Sequence, residues 1–495
     1  MNLKINNIII EIFVSIISVC AAIIVFISQR GYDYSYYLPF ETVLITLNII
    51  YTPEIICRYL HKKNINSWYT HKGFILFISL IVLVLLGNIS KWSNIDLSIL
   101  VALIGMCQFL YFINSYLSCI KLIPIVLIIL FILFGIFITT AYYLSYNYHP
   151  LIYQKIITGA WAHRDPVWFS TIAGMFKTYG ASTNGLDGLV PLYYHIMSYY
   201  VAGSLSNVLN INTLTFYNSV YPIMIVPITI MALLICVMGI DKYYSELLNY
   251  KYSGIIEYKF WILLLIIISL PLPYQLLGIL DGERYQYFTS HSYSFALFTS
   301  FTILIVIIGY NKNNYLINNN ILNSKYIFSI TIVLLYLVAS LSKVSFLFVI
   351  GSVYGYIFLR IKLYNYKLHR ITMCGFIIVV MGVYYYILNT EEFLKNPFQI
   401  KSYNISILSY LTYIYPTITF IVLKLYACSN YLNYDILKLF RNKKLIDIEI
   451  LIFLMIILFP ITYQYFKGIQ TQLAMILILA HHNLFYNSIM KNNIS

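Results

Sequence analysis

The chain has 495 residues, of which 61% are hydrophobic and only 10% are charged, and its mean hydropathy is +0.80. A soluble domain carries about 25% charged residues, so this composition excludes a water-soluble fold. The formal net charge of +14 comes from basic segments between apolar runs. Such segments are typical of the cytoplasmic loops of membrane proteins and do not indicate nucleic-acid binding.

The apolar runs predict an all-α, polytopic membrane protein with about 14 transmembrane helices, because each span needs about 20 apolar residues. We divide the chain into a bundle of five spans (1–145), an outward-facing loop (146–213) and a second bundle of about nine spans (214–495). The predicted spans are 8–28, 37–57, 73–90, 97–119, 123–145, 214–239, 260–280, 294–310, 326–341, 345–360, 371–389, 406–427, 449–466 and 471–489.

The segment 189–209 decides the predicted orientation of everything that follows it. If it does not cross the membrane, most of the 31 Lys and Arg residues fall on the cytoplasmic side. If it does cross, the basic stretches "RIKLYNYKLHR" and "KLFRNKK" move outside, against the positive-inside tendency. We therefore predict a non-crossing helix on the outer side, with both termini cytoplasmic and the chain multi-pass in the inner (plasma) membrane.

The stretch "DPVWFSTIAGMFKTYG" predicts a helix with marked ends. Asp165 suits the N-cap, Pro166 the first helical position and Gly180 the position after the last turn. The apolar residues share one face, and the segment is too short to span a bilayer. We expect an amphipathic helix in the membrane interface, with Trp168 and Phe169 facing lipid.

Two residues of the outward loop are candidate catalytic groups. Asp165 is either a helix cap alone or a cap that also takes a proton from an acceptor hydroxyl, beside His163 and Arg164. His195 is either an imidazole held by hydrogen bonds in an apolar setting or a second catalytic group. Asp187 suits a turn, and alternatively binds sugar hydroxyls or, with Asp165, a divalent cation.

Two further outward sites carry candidate binding groups. Lys343 interrupts the apolar run 326–360 and is either a snorkelling lysine or a ligand of a phosphate group. The stretch "DGERYQYFTSHSY" is either an ordinary polar loop or a binding segment in which Arg284 contacts a phosphate. Its candidate residues are Asp281, Glu283, Arg284 and His291.

The layout resembles the C-type membrane glycosyltransferases and, more loosely, the O-antigen and capsule polymerases of bacterial polysaccharide synthesis. The resemblance is carried by many spans and by "HRDPVWFSTIAGMFKTYG...NGLDG...YYH" in an outer loop. It implies that Asp165 is the base and that Arg284 and Lys343 bind the carrier phosphate. In that family the acid follows the first span, whereas here it follows five, and no DxD motif specifies a metal.

The resemblance implies an enzyme that transfers sugars from polyprenyl-phosphate carriers during cell-surface polysaccharide synthesis. Its expected partners are polyprenyl-linked sugars, the lipid bilayer and other polysaccharide-assembly membrane proteins. No cofactor is specified, and a divalent cation stays open. The alternatives are a flippase for lipid-linked oligosaccharides or another multi-span transporter, and an assembly protein without chemistry. No Walker motif is present, which disfavours an ATP-driven transporter.

Overall fold

The computed structural model describes residues 2–28, 37–63, 65, 71–121, 123, 125–144, 164–183, 185, 191–192, 195–248, 291–314, 322–343 and 374–383. These residues form helices, together with one isolated bridge between Thr183 and Pro191. The helices are α1 (Asn2–Ser28), α2 (Leu38–Lys62), α3 (Lys72–Ser93), α4 (Ser98–Ile120), α5 (Ile125–Leu144), α6 (Arg164–Tyr179), α7 (Ile196–Val208), α8 (Tyr221–Leu248), α9 (His291–Asn314), α10 (Leu322–Ser342) and α11 (Cys374–Val383). A helical turn (Thr213–Thr215) and a π-helical turn (Phe216–Val220) lead into α8.

The all-α prediction is confirmed for the described residues. Within the described ranges, five helical segments are long and apolar enough to cross a membrane: Ile8–Ile27, Leu38–Lys62, Lys72–Ser93, Ser98–Ser118 and Thr213–Cys236. These segments suit a lipid bilayer as their surroundings. The predicted spans 260–280, 345–360, 406–427, 449–466 and 471–489 lie outside the described residues.

Contacts between side chains fix the relative directions of α1 and α2. The Ser15 and Tyr51 hydroxyls lie 2.8 Å apart, and the Phe26 and Phe40 rings lie 5.7 Å apart between centroids. As residue numbers rise along α1 they fall along α2, so the two helices are antiparallel, as two successive spans must be. Following the predicted orientation, we call the end near Ser28 the outer end and the opposite end the inner end.

Glycines allow two pairs of helices to approach closely. A Cβ on Gly105 of α4 would lie 2.0 Å from the backbone oxygen of Leu44 in α2. A Cβ on Gly87 of α3 would lie 2.0 Å from the backbone oxygen of Ser204 in α7. Small residues allow such backbone contacts between helices in membranes, where burial of apolar surface gives little force for association.

Replacing Gly105 with Ala is expected to destabilise the protein by about 1–3 kcal/mol, the usual cost of overpacking a close contact. The obstacle is a backbone oxygen, which cannot turn away as a flexible side chain can. Thermal unfolding of the full-length protein in detergent measures the effect. Gly382→Ala is the matched control, because a Cβ there has no atom of the described residues within 4 Å. Equal melting temperatures for the two variants would contradict this account.

Helix α6 corrects one prediction about the outward loop. It begins at Arg164, so Asp165 lies in the first turn and is not the N-cap, and it ends at Tyr179 before Gly180, whose φ of 71° agrees with the predicted end. Phe169 does not face lipid, because its ring packs against Tyr199. Ile172 of the same stripe is also buried, whereas Trp168 is 42% exposed and its contact with lipid stays a prediction.

Helix α7 lies inside the bundle at the outer end. Its 13 residues span about 20 Å, which is less than the roughly 30 Å hydrocarbon core. That 189–209 stays on the outer side remains a prediction. Asn88 of α3 donates a hydrogen bond of 2.7 Å to the Tyr200 hydroxyl. Ser90 of α3 donates one of 3.4 Å to the Asn207 carbonyl. These contacts hold α7 against α3.

Candidate functional site

His195 stands at the start of α7 in an unusual backbone conformation. It occupies the N-cap position with φ 55° and ψ 31°, in the left-handed region that non-glycine residues adopt infrequently. The residue is 2% exposed. Its backbone carbonyl accepts a 2.8 Å hydrogen bond from the Ser198 hydroxyl, which secures the first turn of α7. The strained position therefore fixes a buried imidazole at the outer end.

Lys343 and His195 form a direct contact, although 148 positions separate them in the sequence. Lys343 follows the last residue of α10, and its N–H donates to the Ala339 carbonyl at 3.0 Å. Its Nζ lies 3.1 Å from His195 Nε2. An ammonium group has only donors, so Nε2 is the acceptor and the imidazole proton resides on Nδ1. The break predicted at Lys343 coincides with the end of α10.

The surroundings of His195 favour a neutral ring. Burial, and then the positive charge of Lys343, hold the pKa of His195 well below the ordinary value. The imidazole therefore carries no charge at physiological pH. A neutral ring with its Nε2 lone pair directed at a cation is ready to accept a proton once that cation moves.

The low pKa of His195 predicts an acid-sensitive fold. The unfolded chain takes up a proton near the ordinary histidine pKa, whereas the folded protein does not, so stability is complete above about pH 6.5 and falls below it. The loss is about 1.4 kcal/mol per pH unit for one such histidine. Melting temperatures of the full-length protein across this range measure it. The His195→Asn variant should show a shallower decline, and an identical slope would contradict the assignment.

Aromatic rings surround a second histidine at the same end of the bundle. His291 is the first residue of α9 and is 3% exposed. Its ring lies 4.2 Å from that of Tyr217 and 4.1 Å from that of Tyr221, both in edge-on geometry. Phe169 of α6 lies 5.7 Å from His291 and 5.6 Å from Tyr199 of α7, measured between ring centroids. Phe169 thus joins the surroundings of His291 to α7. We call these five rings the aromatic cluster.

The π-helical turn Phe216–Val220 contains Tyr217 and directly precedes Tyr221, two members of the aromatic cluster. Its five residues are all buried. The Asn212 side chain stabilises the preceding helical turn by accepting a 2.7 Å hydrogen bond from the Thr215 N–H. Single π-helical turns occur frequently at functional sites, because they offset side chains from the regular helical positions. The turn here places a local irregularity next to the aromatic cluster.

The structure brings some of the predicted site residues together. His195 and Lys343 touch, and His291 lies in the aromatic cluster of the same outer end. Arg164 and Asp165 occupy the first turn of α6. The remaining predicted residues lie outside the described part of the chain: His163, Asp187, Asp281, Glu283 and Arg284.

The candidate metal site rests on Asp165 and Asp187. Among the described residues, no group of three His, Cys, Asp or Glu side chains is placed to hold a metal ion. The Asp187 residue lies outside the described part, and the described part of Asp165 is its helical backbone. A divalent cation therefore stays a hypothesis based on the sequence.

Tyr217 and Tyr221 do not stand out in the sequence as site residues. The chain contains 51 tyrosines, so an individual tyrosine stands out little. The available signal is their spacing of four, which places both on one helical face toward His291.

Comparisons with known proteins identify no relative of this chain. No protein-family model, no curated protein and no solved structure matches this chain.

Proposed function

We propose that this chain is a membrane glycosyltransferase or polymerase that uses polyprenyl-phosphate-linked sugars on the outer side of a bacterial inner membrane. The observation that carries the proposal is the buried contact between His195 and Lys343 at the outer end. It places a proton acceptor and a cation side by side. A polyprenyl carrier stays in the bilayer, so transfer of its sugar has to occur at the membrane surface, where these groups are proposed to lie.

The proposed reaction needs a base for the acceptor and a cation for the leaving group. The acceptor hydroxyl oxygen bonds to the anomeric carbon, and the bond from that carbon to the carrier phosphate breaks. The phosphate leaves with the electron pair, and Lys343 neutralises its charge. The hydroxyl proton passes to the base. When Lys343 turns to a phosphate, the lone pair of His195 Nε2 becomes available.

Two groups are candidates for that base. His195 is neutral, and its Nε2 can accept a proton once Lys343 turns away, because the positive charge of Lys343 is one of the two causes of its low pKa. Asp165 holds the base position that the family resemblance implies, in the first turn of α6. The aromatic cluster is largely buried, so its proposed part is to hold α6 against the bundle through Phe169. His163, Arg164, Asp187, Asp281, Glu283, Arg284 and His291 are proposed as further substrate contacts.

Asp165→Asn is expected to abolish transfer while the protein still accumulates in the membrane. The amide keeps the shape of the side chain but cannot take up the proton. The measurement is formation of a lengthened glycan by purified protein in proteoliposomes supplied with polyprenyl-diphosphate-linked oligosaccharide.

Asp96→Asn is the matched control for this experiment. Asp96 is exposed and accepts a 2.9 Å hydrogen bond from the Ser98 N–H at the start of α4, a capping role that Asn fills equally well. Full activity of Asp165→Asn would remove Asp165 as the base. Absence of transfer by the unmodified protein, with translocation of the same lipid across the proteoliposome membrane, would favour the flippase alternative.

A further inference from the structure

A second group of charged residues lies at the inner end, away from the proposed transfer site. It joins Glu11 of α1, Glu54 and Arg58 of α2, Lys72 of α3 and Tyr116 of α4. We call these five residues the inner network. Ionisable groups inside membrane helices are costly and are functional candidates by default. The network uses none of the residues proposed for sugar transfer.

Lys72 is the link between the two carboxylates of the inner network. Its Nζ lies 3.0 Å from Glu54 Oε2 and also contacts Glu11 Oε1. Glu54 has two further partners. The Arg58 Nε donates to Glu54 Oε1 at 3.1 Å, and the Tyr116 hydroxyl donates to the same oxygen at 2.8 Å. Glu54 therefore accepts from three donors on three residues, whereas Glu11 depends on Lys72 among the described ion pairs.

Exposure falls steadily along the inner network. The Arg58 side chain is 32% exposed, Glu54 and Lys72 are each 11% exposed, and Glu11 is 0% exposed. The Arg58 guanidinium lies over the Tyr116 ring, 3.8 Å from its centroid. The most exposed member of the network is therefore held in place by a contact of its own. The sequence of contacts therefore runs from the inner surface to a dry carboxylate. A proton has a continuous set of ionisable groups along this route.

We propose that Glu11 is a proton-binding site reached from the inner side through Glu54 and Lys72. A proton enters on Glu54, Lys72 passes one of its own protons to Glu11, and Lys72 recovers a proton from Glu54. The net change is one proton bound, with Glu11 converted from carboxylate to carboxylic acid. The contact between Glu11 and Lys72 then loses its charge attraction, while Lys72 stays paired with Glu54. Protonation would thus loosen α1 from α3 and leave α2 held to α3.

The inner network suits a proton better than a metal ion. Lys72 occupies the space between the two carboxylates, and a metal there would have to expel a buried ammonium. Two carboxylates and two cations already balance, so a further metal charge would be uncompensated. A single proton needs no coordination shell and changes only the group at the dry end.

Among the described side chains, the other groups near Glu11 do not compete for this role. Tyr51 of α2 is hydrogen-bonded to Ser15, one turn along α1 from Glu11. Helix α5, which packs against α1, contains no acidic, basic or histidine residue in its sequence. Helix α8 carries Asp241 and Lys242 near its inner end, and their side chains lie outside the described ones.

The test uses the unmodified full-length protein and dicyclohexylcarbodiimide, an apolar reagent that adds to buried carboxylic acids. The acid proton adds to a carbodiimide nitrogen and the carboxyl oxygen to its central carbon, so only a proton-bearing carboxyl reacts. Peptide mass spectrometry locates the adduct. We expect labelling of Glu11 in detergent-solubilised protein, increasing several-fold between about pH 8 and about pH 5, near the range of carboxyl titration.

Two variants sharpen the test without requiring any activity. Lys72→Met should increase Glu11 labelling at neutral pH at least several-fold, because the carboxylate then loses the ammonium group with which it is paired. Lys62→Met, an exposed lysine at the end of α2, should leave labelling unchanged. If Lys72→Met fails to yield folded protein, the pH series on the unmodified protein still decides. Glu11 unlabelled at every pH, or labelled to the same extent at every pH, would overturn the proposal whatever the outcome of the transfer assay.

Discussion

Replacing Lys343 with Met is expected to reduce glycosyl transfer by about 100- to 1,000-fold, the usual cost of removing one group that stabilises developing negative charge. Met preserves the length and apolar stem of the side chain but removes the ammonium that contacts His195. The leaving phosphate would then lose its cation. The measurement is the rate of glycan extension in proteoliposomes at saturating donor, compared with the unmodified protein.

Lys343→Arg is the informative companion to Lys343→Met. Arg keeps the positive charge and binds phosphate, but its planar guanidinium cannot occupy the same point as an ammonium 3.1 Å from His195 Nε2. We expect partial activity, with the larger loss in the apparent affinity for the donor. Lys91→Met near the outer end of α3 is a control for general loss of positive charge, and should retain activity. Equal activity of all three variants would contradict a role for Lys343 at the phosphate.

Replacing Lys72 with Met is expected to destabilise the protein by about 3–5 kcal/mol, because removal of one partner leaves buried charge uncompensated. Glu11 is fully buried, and Glu54 retains Arg58 and Tyr116 as partners. Most of the loss should therefore come from Glu11. Unfolding of the full-length protein in mixed micelles with increasing denaturing detergent measures the change in the free energy of unfolding.

A double variant separates the contribution of Glu11 from loss of packing by Lys72. Lys72→Met with Glu11→Gln should recover much of the lost stability, because a neutral amide costs far less to bury than an unpaired carboxylate. Lys62→Met should change stability by less than about 0.5 kcal/mol, as exposed substitutions usually do. A double variant as unstable as the single one would mean that the Lys72 stem, and not its charge, holds α1 to α3.

Apolar runs alone predict most of the described helices, because a helix that satisfies its own backbone needs only length and hydropathy to suit a membrane. The C-terminal ends of α6 and α10 can be predicted from sequence for a similar reason. Gly180 provides the left-handed conformation after α6, and Lys343 interrupts a run too long for one span. These are local properties, and local sequence encodes them.

The sequence does not predict which surroundings cover the apolar face of α6. Its apolar stripe predicts burial but not whether lipid or protein buries it. In the structure, the Phe169 ring of this stripe is covered by protein, because it contacts the rings of Tyr199 and Tyr217. Glu11 likewise carries no signal in the sequence, where it is a single acid in an apolar run. Its meaning depends on Lys72, which lies 61 positions later and meets it only when α1 packs near α3.

The sequence by itself therefore determined an apolar, all-helical chain for a bilayer, with a polar loop rich in candidate groups and a break at Lys343. Hydropathy and helix-end chemistry act over a few turns, so they can be read without the fold. Only the tertiary structure decided that Lys343 meets His195, that aromatic rings enclose His291, and that Glu11 is joined to Lys72. Each of these pairings depends on which helices pack together, and composition and spacing do not specify that.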